Sequence, residues 1–154
     1  MDLNSKVVLV TGGTGSFGRR FAEAVLRNYK PRKLIIFSRD ELKQSEMRQE
    51  MGGENVRYFI GDVRDLERLR RAVSGVDVVV HAAAMKQVPA CEYNPFEAVK
   101  TNVHGAANVI EASIDAGVGK VLAISTDKAV NPVSLYGATK LCAEKLFVQG
   151  NSYS

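Results

Sequence analysis

The sequence predicts a doubly wound α/β domain, a parallel sheet with helices on both faces. Short runs rich in Val, Ile and Leu alternate with longer segments of helical period along the chain. A glycine-spaced turn joins the first such run to the first helical segment, and no repeat, low-complexity tract or linker interrupts the pattern.

The strand-like runs cover residues 6–10, 33–37, 56–60, 77–81 and 120–125. They are near-continuously apolar, as strands buried on both faces must be, which favours a parallel sheet over an antiparallel one. Between them the three-and-four spacing of apolar residues predicts helices over 16–28, 41–51, 66–73 and 95–116, with a fifth from residue 134. In that last helix Leu135, Ala138, Leu141, Cys142, Leu146 and Val148 form the expected buried stripe, and Gly150-Asn151-Ser152 ends it.

With 154 residues, 45% of them hydrophobic and 25% charged, the chain is of a size and composition for one folded domain. The longest apolar run, 76–84, is broken by Asp77 and His81 and falls far short of the roughly 20 residues of a membrane span. No membrane partner is expected. The N-terminus lacks the pattern of a secretory signal, so the expected location is cytoplasmic. Cys91 and Cys142, without CxxC spacing, read as reduced structural thiols, and no metal site is expected. The net charge of +4 raises the question of nucleic acid. Lys and Arg are, however, interleaved with acids over 39–50 and 64–71, which describes solvated helix faces. A nucleotide phosphate is the expected anion.

The turn Gly12-Gly13-Thr14-Gly15-Ser16-Phe17-Gly18 follows a strand and opens a helix, the setting in which glycines at 12, 15 and 18 bind a dinucleotide. The first two allow a tight turn and close approach to a pyrophosphate, which then rests on helix-end amides. The last lets helix and strand pack closely. Ser38-Arg39 at the end of the second strand can donate to a ribose 2′-phosphate, so NADP is favoured over NAD. Asp40 is either the ribose-binding acid of an NAD site or the N-cap of the next helix. Asp62 either accepts from the adenine amino group, with Val63 against the ring, or caps the following helix. Ala82, Ala83 and Ala84 let a flat cofactor approach the backbone, whereas His81 reads as a packed strand residue.

Tyr136 and Lys140 are four apart at the start of a helix and share one face. An ammonium beside a phenol favours phenolate, which yields a base able to take a hydroxyl proton. Ser125 and Thr126 lie one loop earlier.

These features together resemble the extended short-chain dehydrogenase/reductases that modify nucleotide-activated sugars. Thr14-Gly15-Ser16-Phe17-Gly18, Phe37-Ser38-Arg39-Asp40-Glu41, Ala84-Met85-Lys86, Glu92-Tyr93-Asn94-Pro95 and Ser125-Thr126-Asp127-Lys128-Ala129 resemble the inverting UDP-N-acetylglucosamine 4,6-dehydratases and their polysaccharide-biosynthesis relatives. Thr126-Asp127-Lys128 discriminates best, because retaining dehydratases carry Thr-Asp-Glu there and simple 4-epimerases lack the acid–base pair. The resemblance implies a Rossmann-type fold and a cycle of oxidation at C4, loss of water across C5 and C6, and return of hydride to C6. It implies Tyr136 as base at the 4-hydroxyl, Lys140 as its tuner and ribose ligand, and Thr126 as a hydrogen-bond partner of that hydroxyl. It implies Lys128 as base at C5 with its pKa depressed by burial and Lys140, and Asp127 as acid at the leaving 6-hydroxyl. Lys86 and Asn102 would contact substrate.

In such proteins the last strands and the sugar-nucleotide-binding part follow the Tyr-Lys helix. The expectation is therefore an incomplete NAD(P)-binding domain over 1–154, truncated before the C-terminal substrate domain. Two alternatives stand beside the dehydratase: an NADP-binding fragment without catalysis, and a sugar-nucleotide 4-epimerase or reductase. A homo-oligomer is expected, paired through the helices at 95–116 and 134–148.

Overall fold

In the computed structural model, which describes residues 1–154, five strands form one parallel sheet in the order β3-β2-β1-β4-β5. The strands are β1 (Val7–Thr11), β2 (Lys33–Ser38), β3 (Val56–Ile60), β4 (Val78–His81) and β5 (Lys120–Ala123). From β1 the chain winds outward through β2 to β3, then crosses back to lay β4 against the other side of β1. That reversal opens a crevice at the carboxyl ends of β1 and β4, where Thr11 pairs with Phe37 on one side and His81 on the other.

The period-two alternation of the strands sorts the core into two layers. Val7, Leu9, Ile35, Phe37 and Val79 face α3 (Leu66–Ala72) and α6 (Gly105–Asp115). Val8, Val10, Leu34, Ile36 and Val80 face α1 (Ser16–Asn28) and α2 (Glu41–Met51). Leu9, Leu34, Ile36 and Phe37 are fully buried, each contributing about 1.5–3 kcal/mol by its removal from water. The two-sided burial inferred for the strands is met in β1, β2 and β4, whereas the edge strands β3 and β5 are only partly buried, with Ile60 and Leu122 exposed. No helix is long and apolar enough to cross a membrane.

Three details depart from the sequence reading. A short helix, α4 (Val88–Tyr93), precedes the long one; its Pro89 lies in the first turn, where the missing N–H costs nothing. The helix expected over 95–116 is not uniform: α5 (Pro95–Val99) passes through a π-turn at Lys100–His104 before α6. Periodicity in apolar residues does not register one extra residue in a turn. The buried face of α7 (Leu135–Gly150) carries Tyr136, Gly137, Thr139, Lys140 and Ala143, while Cys142 and Val148 of the expected stripe are exposed. A helix whose inner face serves a polar site hides its role from a hydrophobic count.

Candidate active site

The crevice is built on backbone approach. Gly12 has φ of +64°, and a Cβ there would lie 2.8 Å from Ala83 N and 2.9 Å from the Ala82 carbonyl carbon. No side chain fits between β1 and the chain leaving β4. The N-cap of α1 is Gly15, which offers no side-chain acceptor, and the first turn holds no acid. By contrast Asp40 caps α2 through Lys43 N at 2.9 Å, Asp65 caps α3 through Arg68 N at 3.0 Å, and Ser134 caps α7 through Gly137 N at 3.1 Å. The α1 amides are left uncapped at the mouth of a glycine-floored crevice of about 260 Å³, a fit for the pyrophosphate of a dinucleotide.

Gly12, Thr14, Gly15, Ser38, Arg39, Asp62, Val63, Ala82, Ala83, Ala84 and Lys86 line this crevice together. Ser16 and Phe17 open α1, Phe17 stacking on Phe21 with centroids 5.9 Å apart, and Gly18 is buried under the turn. At the adenosine end, Gln44 Nε2 donates to Ser38 Oγ at 3.0 Å, to Ser38 O at 3.2 Å and to Phe59 O at 3.1 Å. This buried amide holds the tip of β2 in place. Asp40 acts as the helix cap, one of its two sequence-stated alternatives. Asp62 does not cap α3, since Asp65 occupies that position. Its carboxylate instead accepts from Arg64 N at 2.9 Å and Arg64 Nε at 3.1 Å, with Arg39 Nη1 3.7 Å away. Burial alone would raise its pKa, but the Arg64 hydrogen bonds and the Arg64 and Arg39 charges outweigh burial and hold it below the usual carboxylate value.

The second cluster gathers at the start of α7. Besides the Ser134 cap, Glu92 Oε1 accepts from Leu135 N at 2.7 Å, tying α7 to α4. Tyr136 is buried on Cys91 and Ala98. Lys140 Nζ donates to Ile124 O, just beyond β5, at 2.9 Å. Burial lowers the Lys140 pKa; Glu144 opposes that shift and the Lys86 charge adds to it. Lys86 is therefore the cation whose field reaches Lys140. Thr126 caps a 3₁₀ turn, Asp127–Ala129, its hydroxyl accepting from Lys128 N at 3.3 Å and donating to Asp127 Oδ1 at 3.2 Å. The Lys128 carbonyl rests on Gly137, where any Cβ would collide with it, so Gly137 locks the Asp127-Lys128 turn onto the first turn of the Tyr136 helix. Asp127 and Lys128 are both exposed, so the burial expected of Lys128 is not met.

Asn102 requires a correction. It is 2% exposed, and its amide is consumed inside the protein. Oδ1 accepts from Met85 N at 2.8 Å, while Nδ2 donates to Met85 O at 2.9 Å and to Thr139 Oγ1 at 3.0 Å. Buried and with both amide protons committed, Asn102 positions the loop that bears Lys86 and the helix that bears Tyr136 rather than contacting substrate. The π-turn is what aims it, a local widening often found at functional sites. Sequence reading also missed Thr11, Gln44 and Thr139, and gave Glu92 a place in a motif but no role. Thr11 and Gln44 carried a signal, each being polar in an otherwise apolar position; Thr139 carried none until its partners were placed.

The polysaccharide biosynthesis protein family matches residues 8–154, nearly the whole chain. The chain belongs to that family. The chain is 61% identical over 149 residues to a UDP-N-acetylglucosamine 4,6-dehydratase (inverting) of Campylobacter jejuni, the match covering 97% of this chain and 45% of that protein. It is 48% identical over 147 residues to a UDP-glucose 4-epimerase of Rickettsia canadensis, covering 93% of this chain and 43% of the other. Among solved structures it resembles DesIV, a dTDP-glucose 4,6-dehydratase from Streptomyces venezuelae with NAD bound, at a TM-score of 0.86 and 26% identity, over 96% of this chain and 52% of that one. The chain thus spans about half the length of the relatives it matches. A larger groove of about 790 Å³ runs along the unpaired edge of β5 beneath α7, touching Lys140 and Ser125 but apart from the glycine turn.

Proposed function

We propose that this family member is the dinucleotide-binding and catalytic-helix portion of an NADP-dependent, C5-inverting UDP-N-acetylglucosamine 4,6-dehydratase serving cell-surface glycan synthesis. The observation that carries the reading is the Asp127-Lys128 turn seated through Gly137 on the helix that presents Tyr136 and Lys140. That arrangement supplies an acid and a second base beside an oxidation site, which an epimerase does not need. The 61% identity to the Campylobacter dehydratase supports it.

Bound NADP would supply the hydride acceptor for C4 and return the hydride at C6. It would be held by the glycine turn Gly12–Gly15 and the first amides of α1 at its pyrophosphate, by Ser38, Arg39, Asp62 and Val63 at its adenosine, and by Ala82–Ala84 at its flat rings. Arg39 and the Ser38 hydroxyl are the donors for a 2′-phosphate. Tyr136 takes the 4-hydroxyl proton while Lys140, cationic against the Ile124 carbonyl, stabilises the phenolate and the ribose. Thr126 orients the same hydroxyl. The 4-keto group acidifies C5–H; Lys128 takes that proton, and Asp127 protonates the departing 6-hydroxyl as water. Lys86 faces the same space and contacts substrate.

The 48% identity to a UDP-glucose 4-epimerase favours a second reading, in which Tyr136 and Lys140 act without Asp127 and Lys128. Replacing Lys128 by Ala in the complete protein separates the two. The dehydratase reading expects NADP affinity to survive and product formation to stop; undiminished product formation refutes Lys128 as the base.

A further inference from the structure

The structure places a closed hydrogen-bond unit at the floor of the crevice, formed by residues that the catalytic scheme does not use. Thr11 ends β1 and His81 ends β4, paired across the sheet and both buried, at 0% and 3% exposure. Thr11 Oγ1 lies 2.7 Å from His81 Nδ1. The same oxygen accepts from Ala82 N at 3.1 Å and from Ala83 N at 3.2 Å. A hydroxyl has two lone pairs and one proton. With both lone pairs taken by backbone amides, its proton has one destination, the Nδ1 lone pair of His81. The imidazole is thereby fixed as the neutral tautomer with its proton on Nε2.

The two amides gathered by Thr11 belong to the segment that a Cβ on Gly12 would strike. The hydroxyl thus sets the spacing between the glycine turn and Ala82–Ala83, the two walls between which the proposed dinucleotide lies. An acceptor at Nδ1 orients the hydroxyl so that it can receive both amides. Without that acceptor the hydroxyl turns its proton toward one of them, and the wall carrying Ala82 and Ala83 loosens.

We propose that Thr11 and His81 form a positioning pair that sets the width of the dinucleotide crevice, with His81 serving only as the acceptor that aligns the Thr11 hydroxyl. The proposal rests on the dinucleotide reading of the site. Neither residue touches the reacting atoms.

Two readouts test it. In ¹⁵N-histidine NMR of the protein, with signals assigned through a His104→Gln variant, His81 shows a directly bonded proton at Nε2 and none at Nδ1; a proton on Nδ1 overturns the pair. Calorimetric titration with NADP reads the second consequence. His81→Asn, which keeps an acceptor near the Nδ1 position, and Thr11→Ser, which keeps the hydroxyl, bind within about twofold of the parent. His81→Leu and Thr11→Val lose about tenfold in affinity, the scale of one misaligned buried hydrogen bond. If the Thr11→Val protein does not fold, the contrast between His81→Asn and His81→Leu decides. Equal NADP affinity in those two variants assigns the pair to stability alone and overturns the proposal. A parent protein that binds neither NADP nor NAD sinks the dinucleotide reading and this positioning role together. Binding by the parent with no contrast between the variants sinks only the latter.

Discussion

The amide of Asn102 donates to the hydroxyl of Thr139 at 3.0 Å, and that hydroxyl donates in turn to the Tyr136 carbonyl at 2.7 Å. One buried side chain in a π-turn thus reaches the backbone of the proposed catalytic tyrosine and, through its other contacts, both backbone groups of Met85. Asn102→Ala leaves the Met85 N–H unpaired and its C=O with only the weak Cys91 thiol donor, at about 1–3 kcal/mol for the orphaned N–H. Asn102→Asp retains the acceptor for Met85 N but sets a carboxylate against Met85 O. Both variants are expected to unfold at lower temperature and, in the complete enzyme, to lose turnover more than nucleotide affinity. An Asn102→Ala protein with parental melting and turnover would contradict the role.

His81 makes the fold sensitive to acid. Burial, with a smaller contribution from the Lys140 charge, lowers its pKa from 6.5 to about 3. The unfolded chain takes up the proton as pH falls below 6.5, whereas the folded protein refuses it until about pH 3. Stability therefore falls as pH drops through that window, by at most about 1.4 kcal/mol per pH unit from this group, and the loss levels off below it. Denaturant titrations of parent and His81→Asn at a series of pH values should converge near neutrality. Below it the parent should show the steeper decline; parallel curves would contradict the assignment.

At Gly12 both conformation and space forbid a side chain, with φ at +64° and backbone within 2.9 Å of any Cβ. Gly12→Ala is expected to lower stability by more than about 1 kcal/mol and to remove NADP binding, measured by thermal melts and calorimetry. Relief would require Ala82 and Ala83 to retreat from the crevice they shape.

Arg39 is an exposed cation 3.7 Å from Asp62 at the adenosine end. Arg39→Ala should weaken NADP by about tenfold while leaving NAD little changed, since a solvent-facing charge retains only part of its strength. An equal loss for both nucleotides, or a parent preference for NAD, would overturn the 2′-phosphate assignment.

Much of this was legible in the residues themselves. The five strands and the crevice at the switch between β1 and β4 follow from short apolar runs bounded by turn residues and from a glycine turn, although only β1, β2 and β4 are buried on both faces. The Tyr136–Lys140 pair was visible because four residues make about one helical turn. What stayed hidden depends on long-range pairing. Asn102 read as a substrate ligand because nothing local announces that Met85 and Thr139 consume its amide. Asp62 read as an adenine acceptor or a helix cap, and the start of α3 at Leu66 gives the cap to Asp65 instead. The α7 stripe misled because Lys140 and Thr139 are buried for a site, not for a core.

The central proposal is that this family member contributes its glycine-floored crevice and its Asp127-Lys128 turn to a dehydration. Incubation of the complete protein with UDP-N-acetylglucosamine and catalytic NADP, followed by mass spectrometry of the nucleotide sugar, tests it most directly. The account predicts a product lighter by one water; a product of unchanged mass would contradict it.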